Sequence, residues 1–560
     1  MKRLAYWGPD YLISSMGMGL AEHQRAIEAG TTGLKPVHDP RISENPYWAG
    51  AIDWSRIPAL EGATRLERLM VEAGRRVLSA SSVAPASPRL GLVISSTKGN
   101  IDLLSSNAPL DERVLLGNLA KRVAGFLGLT TCPQVVSNAC ISGLSAIILA
   151  QRLIVSGAYD RVLVIGADLM TPFVQTGFCA FKSVSRNLCR PFDAARDGLS
   201  MGEACGAVLL TCDRAECQAP AVAVAGGAVS NDANHISGPS RTGDGLYLAM
   251  REAMREAGVT TADIDFVGLH GTATVYNDEM ESKAVALAGL SDKPANSFKP
   301  YIGHTLGACG VIESVLMVAQ LRNHRIWGTL GFEQLGTPQP LQVSASHRDL
   351  PHAQVCLKSA SGFGGCNAAI VFALDRLSGT EPSWQPGEVQ TLASVSLNCP
   401  SDRDFDSWIR EAYKELDDAN MKFFKMDNLC KLGYVAAEKL LKGRALPDDR
   451  YRIALVLSNR YSSLDTDSRH QALLDSGQPA SPAVFVYTLA NIVSGEISIR
   501  HKLQGEGWFL IETDGHPTDG RRLAQTLLHE RRADLVLSGR CEMFGETAFV
   551  QMDLLSLQSK

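Results

Sequence analysis

Four stretches of the chain carry residues whose types and spacing suit chemistry at a carbonyl group. In SNACISGLSAIILAQRLI a turn of small residues delivers Cys140 to the start of an apolar helix, with Gly143 leaving room for a close chain crossing. The N–H groups and positive dipole end of a helix favour a thiolate, which matters because an ordinary thiol titrates near 8.5. Most of the 13 cysteines lie in apolar runs and read as small buried hydrophobes; its place at a strand–turn–helix junction sets Cys140 apart. In DFVGLHGTATVYNDEMES an apolar strand ends at His270, followed by Gly271 and the hydroxyls of Thr272 and Thr274, while Asn277, Asp278 and Glu279 suit the cap of the next helix. NSFKPYIGHTLGACGVIES presents Lys299, His304, Thr305 and Glu313 around a Gly-rich turn. There Lys299 and Glu313 form either a buried pair that fixes the turn or, more blandly, a surface lysine beside a capped helix. In SASGFGGCNAAIVFAL, Gly362, Gly364 and Gly365 surround Phe363: a turn able to offer a backbone N–H to an oxyanion beside an aromatic gate, or a strand start that needs glycine for geometry alone.

The elements that must hold these residues follow from hydrophobic pattern. RLGLVISST, DRVLVIGAD, ACGAVLLT, DIDFVGLHG and NAAIVFAL are near-continuous apolar runs, the mark of strands covered on both faces. Helical periods lie between them in TRLERLMVEAGRRVLSA, LSAIILAQRLIVSGA, GLYLAMREAMREAG and VIESVLMVAQLRN. The alternation predicts a layered α/β fold. At 560 residues more than one domain is expected.

Composition narrows the function classes. Net charge is −5, so no surplus of Lys and Arg points to nucleic acid. No stretch approaches the roughly 20 apolar residues of a membrane span, and the first residues, interrupted by Gly, Pro and Asp, do not read as a signal peptide. Scattered cysteines without CxxC pairs fit reduced thiols in a cytoplasmic protein and do not suggest zinc.

Together the motifs resemble those of the β-ketoacyl-ACP synthases, in particular the elongating ketosynthases with a Cys-His-His triad. ACISG resembles their nucleophile turn, HGTATVYND their HGTxTxxND, KPYIGHTLGACGVIE their KxxxGHxxGAAGxxE and GFGGCNAA their GFGGxNA loop. CRPFDAARDGLSMGEACGAVLL and NDANHISGPSRTGDG resemble two intervening segments, so the likeness runs from about residue 1 to residue 374. It implies a thiolase-like fold of two similar α/β halves, here 1–225 and 226–376. It also implies Cys140 as nucleophile, His270 and His304 as catalytic neutral imidazoles, Lys299 and Glu313 as their support, N–H groups of Cys140 and Phe363 as oxyanion donors, Phe363 as gate, and Thr272 and Thr274 on a pantetheine arm. Implied, too, is a decarboxylative condensation of an acyl-enzyme with malonyl-ACP, in fatty-acid or specialised polyene or polyketide synthesis, that needs no metal or diffusible cofactor; the alternative is a non-catalytic carrier-protein or ketosynthase-partner scaffold of chain-length-factor type. The expected partners are an acyl carrier protein and a second copy or ketosynthase-like subunit; Arg122, Arg152, Arg186 and Arg190 are candidates for the carrier's docking patch. Ala204, Cys205, Ser361 and Ile141 depart from the family pattern and bear on substrate size rather than on activity.

Residues 377–389 (LSGTEPSWQPGEV) read as a linker. The remainder, 390–560, looks like an internal repeat. RIALVLSNRYSSLD from Arg452 resembles RLGLVISSTKGNID from Arg89, and ADLVLSGRCEM from Ala533 resembles DRVLVIGADLM from Asp160. In this alignment Cys140 falls near Asp514, and no catalytic histidine pair follows. The segment therefore reads as a degenerate half-copy of the catalytic fold, of the kind seen in non-catalytic chain-length-factor partners.

Overall fold

The computed structural model describes residues 3–375, 387–513 and 518–558. In the first half, strands β1 (Ala5–Ser14), β2 (Leu90–Ser95), β3 (Gln134–Val136), β4 (Arg161–Asp168) and β5 (Ala204–Thr211) accompany helices α1 (Arg65–Ser79), α2 (Leu116–Leu127), α3 (Ser142–Val155) and α4 (Pro172–Ala180). The sheet order is β1-β5-β4-β2-β3, with β2 parallel to β3 and β4, and β5 antiparallel to β1 and β4. The second half holds β6 (Val222–Asn231), α5 (Asp244–Ala257), β7 (Phe266–Gly268), α6 (Val275–Leu287), β8 (Pro294–Asn296), α7 (Cys309–Arg322), β9 (Gln342–Val343), β10 (Val355–Gly362) and β11 (Cys366–Leu374). Its sheet runs β6-β11-β10-β7-β8-β9. The expected junction between residues 225 and 226 lies inside β6, which belongs to this second sheet.

Helices α3 and α7 pack against each other and against both sheets, which makes them the middle of five layers. Nearly every residue of both is buried, and that is why their sequences are apolar all round rather than striped. The outer helix α1 shows the contrasting pattern: Leu66, Leu69, Met70, Ala73 and Val77 face inward, and Thr64 with Glu67 closes a capping box at its start. At the α3–α7 crossing a Cβ on Gly143 would lie 2.7 Å from the nitrogen of Val311, and one on Gly310 would lie 2.2 Å from that of Leu144. Only glycine permits this approach, and the approach sets the two helix starts side by side.

The third segment repeats the first half. It contains β12 (Val389–Asn398), α8 (Asn428–Leu441), β13 (Ile453–Asn459), α9 (Leu464–Asp475), α10 (Ile492–His501), β14 (Gly507–Ile511), α11 (Thr518–His529), β15 (Leu535–Phe544) and β16 (Thr547–Leu557). The order β12-β16-β15-β13-β14 matches β1-β5-β4-β2-β3 strand for strand, in the same directions. The repeat extends to anchoring carboxylates. Asp168 at the end of β4 takes the N–H groups of Thr97 and Lys98 after β2, and Glu542 in β15 takes those of Arg460 and Tyr461 after β13. The two copies join edge to edge: β3 and β14 pair antiparallel, Val136 opposite Leu510 and Val135 opposite Ile511, so one sheet runs through both. Of the expected linker, residues 377–386 lie outside the described residues, as does Asp514; Val389 already begins β12. Among the described residues no helix is long and apolar enough to cross a membrane.

Candidate active site

Cys140 sits on a single 3-10 turn, Ala139–Ile141, between β3 and α3. Ala139 takes a left-handed backbone (φ 46°), a conformation that costs a non-glycine residue energy and that marks turns held by their surroundings. Those surroundings are explicit. The N–H of Asn138 donates to Oγ of Ser142, and the Ser142 hydroxyl donates to the carbonyl of Ala139. The side chain of Asn138 reaches into the third segment, accepting from the N–H of Phe509 (2.8 Å) and donating to the carbonyl of Gly507 (3.0 Å).

The structure brings the three expected groups together. Nε2 of His304 lies 3.1 Å from Sγ of Cys140. The rings of His270 and His304 are 5.1 Å apart and nearly perpendicular, and the ligating atoms of all three residues lie within 4.8 Å of one another. His270 follows β7, its N–H and that of Gly271 both held by the carboxylate of Glu281 at 2.7 and 2.6 Å. His304 is fixed through its backbone, donating to the carbonyl of Ser200 and accepting from the N–H of Gly202. The left-handed Gly303 before it (φ 78°) passes so close to Met201 that a Cβ would sit 2.5 Å from the Met201 carbonyl oxygen.

Behind the rings lies a buried charge cluster. Glu313 on α7 pairs with Lys299 through one oxygen and with Lys358 of β10 through the other, the latter at 2.7 Å. Burial opposes the Lys299 charge, but Glu313 outweighs it and raises the lysine above its ordinary value; Glu313 in turn is held low by Lys299 and Lys358 in spite of its own burial. Of the two readings of Lys299 left by the sequence, the structure thus takes the buried pair. Both histidines are pushed well below the usual imidazole range, first by burial and then by the positive charge of Lys299. They are neutral at pH 7. The spacing of the triad would also admit a metal ion, but the ammonium groups of Lys299 and Lys358 behind it oppose a cation.

At Cys140 the electrostatics differ from the sequence expectation. Burial pushes its thiol up to about 12, against the opposing pull of Lys299, so the resting group is a thiol and not a thiolate. The helix start does not prevail because the protein packed around the partly exposed sulfur penalises its charged form. The backbone N–H groups of Cys140 and Phe363 both face the sulfur and favour negative charge there. Phe363 is presented by left-handed Gly364 and Gly365, and its carbonyl is held by the Asn491 side chain of the third segment at 2.8 Å.

A pocket of about 340 Å³ leads to the triad, lined by Cys140, His270, His304, Phe363 and the two threonines, whose hydroxyls bond each other at 2.9 Å. Ser361 lines it as well, whereas Ile141, Ala204 and Cys205 are buried in the core. Of the four arginine candidates for a docking patch, the structure removes one. Arg152 is buried and bidentate to Glu506 of the third segment at 2.7 and 2.8 Å, Arg122 is bound to Glu67, Arg190 reaches Glu333, and Arg186 is exposed. Lys358, Glu281 and Asn138 escaped the sequence reading. Of these, Lys358 left a signal, a lone charge inside the apolar run VCLKSAS.

Residues 54–215 match the family model "Beta-ketoacyl synthase, N-terminal domain", and residues 221–333 match "Beta-ketoacyl synthase, C-terminal domain". A 3-oxoacyl-[acyl-carrier-protein] synthase 2 of Vibrio cholerae is 28% identical over 402 residues, covering 64% of this chain and 96% of that protein. A putative mitochondrial 3-oxoacyl-[acyl-carrier-protein] synthase of Schizosaccharomyces pombe is 30% identical over 314 residues, covering 50% of this chain and 74% of that protein. Among solved structures, a ketosynthase in complex with its chain length factor from Xenorhabdus doucetiae superposes with TM-score 0.60 at 26% identity, over 66% of this chain and 98% of that one. The PfaC keto synthase–chain length factor covers 100% of this chain and 78% of its own, with TM-score 0.81 at 15% identity, a likeness of fold.

Proposed function

Because the chain belongs to the β-ketoacyl synthase family and is a 3-oxoacyl-ACP synthase, an acyltransferase, we propose that it joins an acyl group stored on Cys140 to malonyl-ACP with loss of CO₂. The observation that carries this reading is the Cys140–His304 contact at 3.1 Å with His270 beside it, inside a pocket that reaches the surface. The Cys140 sulfur attacks the thioester carbonyl of the incoming acyl carrier. Its proton passes by way of His304 to the departing pantetheine thiol. The N–H groups of Cys140 and Phe363 receive the oxyanion, where loss of one such donor typically costs about 10²–10³ in rate. Once acylated, the sulfur offers no proton to His304, and both neutral imidazoles can present N–H groups to a malonyl thioester. The C–C bond to the carboxylate breaks, CO₂ leaves, and the electron pair forms an enolate whose oxygen the histidines stabilise. The enolate carbon then attacks the acyl-enzyme, and the Cys140 sulfur leaves as a thiolate that takes up a proton from water, restoring the resting thiol as the 3-oxoacyl product forms. In this scheme Thr272 and Thr274 hold the pantetheine amides, Phe363 gates the pocket, and no metal or diffusible cofactor takes part.

We further infer that the third segment acts as the enzyme's partner subunit in cis, a half-length relative of a chain length factor. It has no counterpart of the triad among its described residues, yet it supports the nucleophile turn through Asn138 and the oxyanion loop through Asn491. Its fusion favours specialised polyene or polyketide synthesis over general fatty-acid elongation. The edge of β3 is already paired with β14, so a second copy cannot add there. Intact-protein mass spectrometry tests the core of the proposal. Incubation with acyl-ACP should add the mass of the acyl group to the wild type and not to Cys140→Ala, and later malonyl-ACP should release a 3-oxoacyl product. An unchanged wild-type mass with every starter tried would sink it.

A further inference from the structure

Besides the pocket that leads in from the surface, Cys140 borders a second cavity. It measures about 20 Å³, room for about one water. Its lining includes Lys98, Val174, Phe178 and Leu306 of the catalytic body and Phe485 and Leu489 of the third segment. The first pocket suits an arriving pantetheine arm; this one borders the sulfur that would carry the transferred acyl group.

Two features make its far wall rigid. The first is an ion pair across the seam between the segments. Nζ of Lys98 bonds Oδ1 of Asp467 at 2.7 Å and the carbonyl of Thr488, with both charged side chains all but enclosed (4% and 7% exposed). Ser463 donates to the other oxygen of Asp467, and the Lys98 ammonium stands 5.3 Å from the centre of the Phe173 ring. The Lys98 backbone is pinned as well, its N–H held by Asp168. The second feature is Phe485, which lies against Gly177 of α4. A Cβ at Gly177 would sit 2.2 Å from the Phe485 ring, so the helix has a glycine-shaped seat for it. Rings of Phe178, Phe181 and His470 enclose Phe485 at 5.3–6.1 Å.

A lengthening alkyl chain would therefore meet a buried salt bridge and a seated aromatic ring. Separating the salt bridge strands two charges away from water, which costs far more than turning an apolar side chain aside. We propose that Lys98, Asp467 and Phe485 form the floor of the acyl pocket and confine the group stored on Cys140 to short acyl chains rather than fatty ones. The inference rests on Cys140 being the acyl acceptor.

The test uses the full-length chain with acetyl-, octanoyl- and dodecanoyl-ACP, reading the initial rate of mass gain on Cys140. Wild type should load acetyl faster than dodecanoyl by about 10²-fold, the discrimination a pocket wall can give. Phe485→Ala, and the double variant Lys98→Met with Asp467→Leu, which strands no charge, should each raise dodecanoyl loading about tenfold relative to acetyl. Dodecanoyl loading by the wild type at the acetyl rate overturns the inference and leaves the acceptor role of Cys140 standing. It is overturned equally if both variants unfold at the wild-type temperature yet keep the wild-type chain-length ratio. Failure of every acyl group to reach Cys140 removes the acceptor itself, and the inference falls with it.

Discussion

Replacing Glu313 with glutamine keeps the shape of the triad's support and removes one charge. In the native protein this carboxylate faces two ammonium groups, Lys299 and Lys358, and all three side chains are at most 1% exposed. A neutral amide in its place would leave both lysines buried without the carboxylate they pair with. Breaking a buried ion pair from one side costs about 3–5 kcal/mol. With an unfolding entropy of about 2.1 cal/mol/K per residue, and a cooperative unit between the catalytic body and the whole chain, that is a fall in Tm of about 3–6 °C. Function should suffer too, because Lys299 already pulls on both imidazoles and Glu313 no longer offsets it. The assay pairs scanning calorimetry with acyl loading and condensation rates, for Glu313→Gln and for the triple variant Lys299→Met, Glu313→Leu, Lys358→Met. An apolar replacement of the whole cluster restores stability in the charge argument, since no ion is left unpaired, but should not restore condensation. A Glu313→Gln protein that melts with the wild type, or a triple variant less stable than the single one, would refute the idea that this carboxylate holds the cluster.

Two further outcomes are expected. His270 and His304 are neutral when folded but titrate near 6.5 when unfolded, so below about pH 6.5 the unfolded chain takes up protons that the folded one refuses. Their contribution is full above that pH and is lost on acidification, at up to about 1.4 kcal/mol per pH unit for each; His270→Asn and His304→Asn should each flatten the decline of Tm between pH 6.5 and 5, and an unaltered slope would show that the native histidines are already charged. Asn138→Ala should leave the N–H of Phe509 and the carbonyl of Gly507 without their side-chain partner, at about 1–3 kcal/mol each, and slow acyl loading as the nucleophile turn loosens; normal loading with a lowered Tm would separate the seam from the chemistry.

The site was more legible in the sequence than the forces around it. His270, His304 and Phe363 lie beside glycines, and Cys140 three residues before one, at strand and helix ends, and such junctions leave a local signature. The layered fold followed from apolar runs alternating with helical periods, and the third segment from the likeness of Arg89 onward to Arg452 onward. What stayed hidden depends on residues distant in sequence. No local pattern tells that Arg152 meets Glu506 instead of facing a carrier protein, or that Lys98 finds Asp467. The protonation of Cys140 escaped for the same reason: a helix start is visible in sequence, whereas the desolvation of a sulfur is set by every element packed around it.

The antiparallel join of β3 and β14 has a kinetic meaning. A partner held by association alone leaves when the protein is diluted, and the strand before Cys140 then loses its neighbour. Here the neighbour is tethered, so its effective concentration is fixed by the connecting chain at the millimolar scale typical of short tethers, whatever the amount of enzyme present. Specific activity should not fall on dilution, supply of the two bodies is always one to one, and an inactive copy cannot displace a working half.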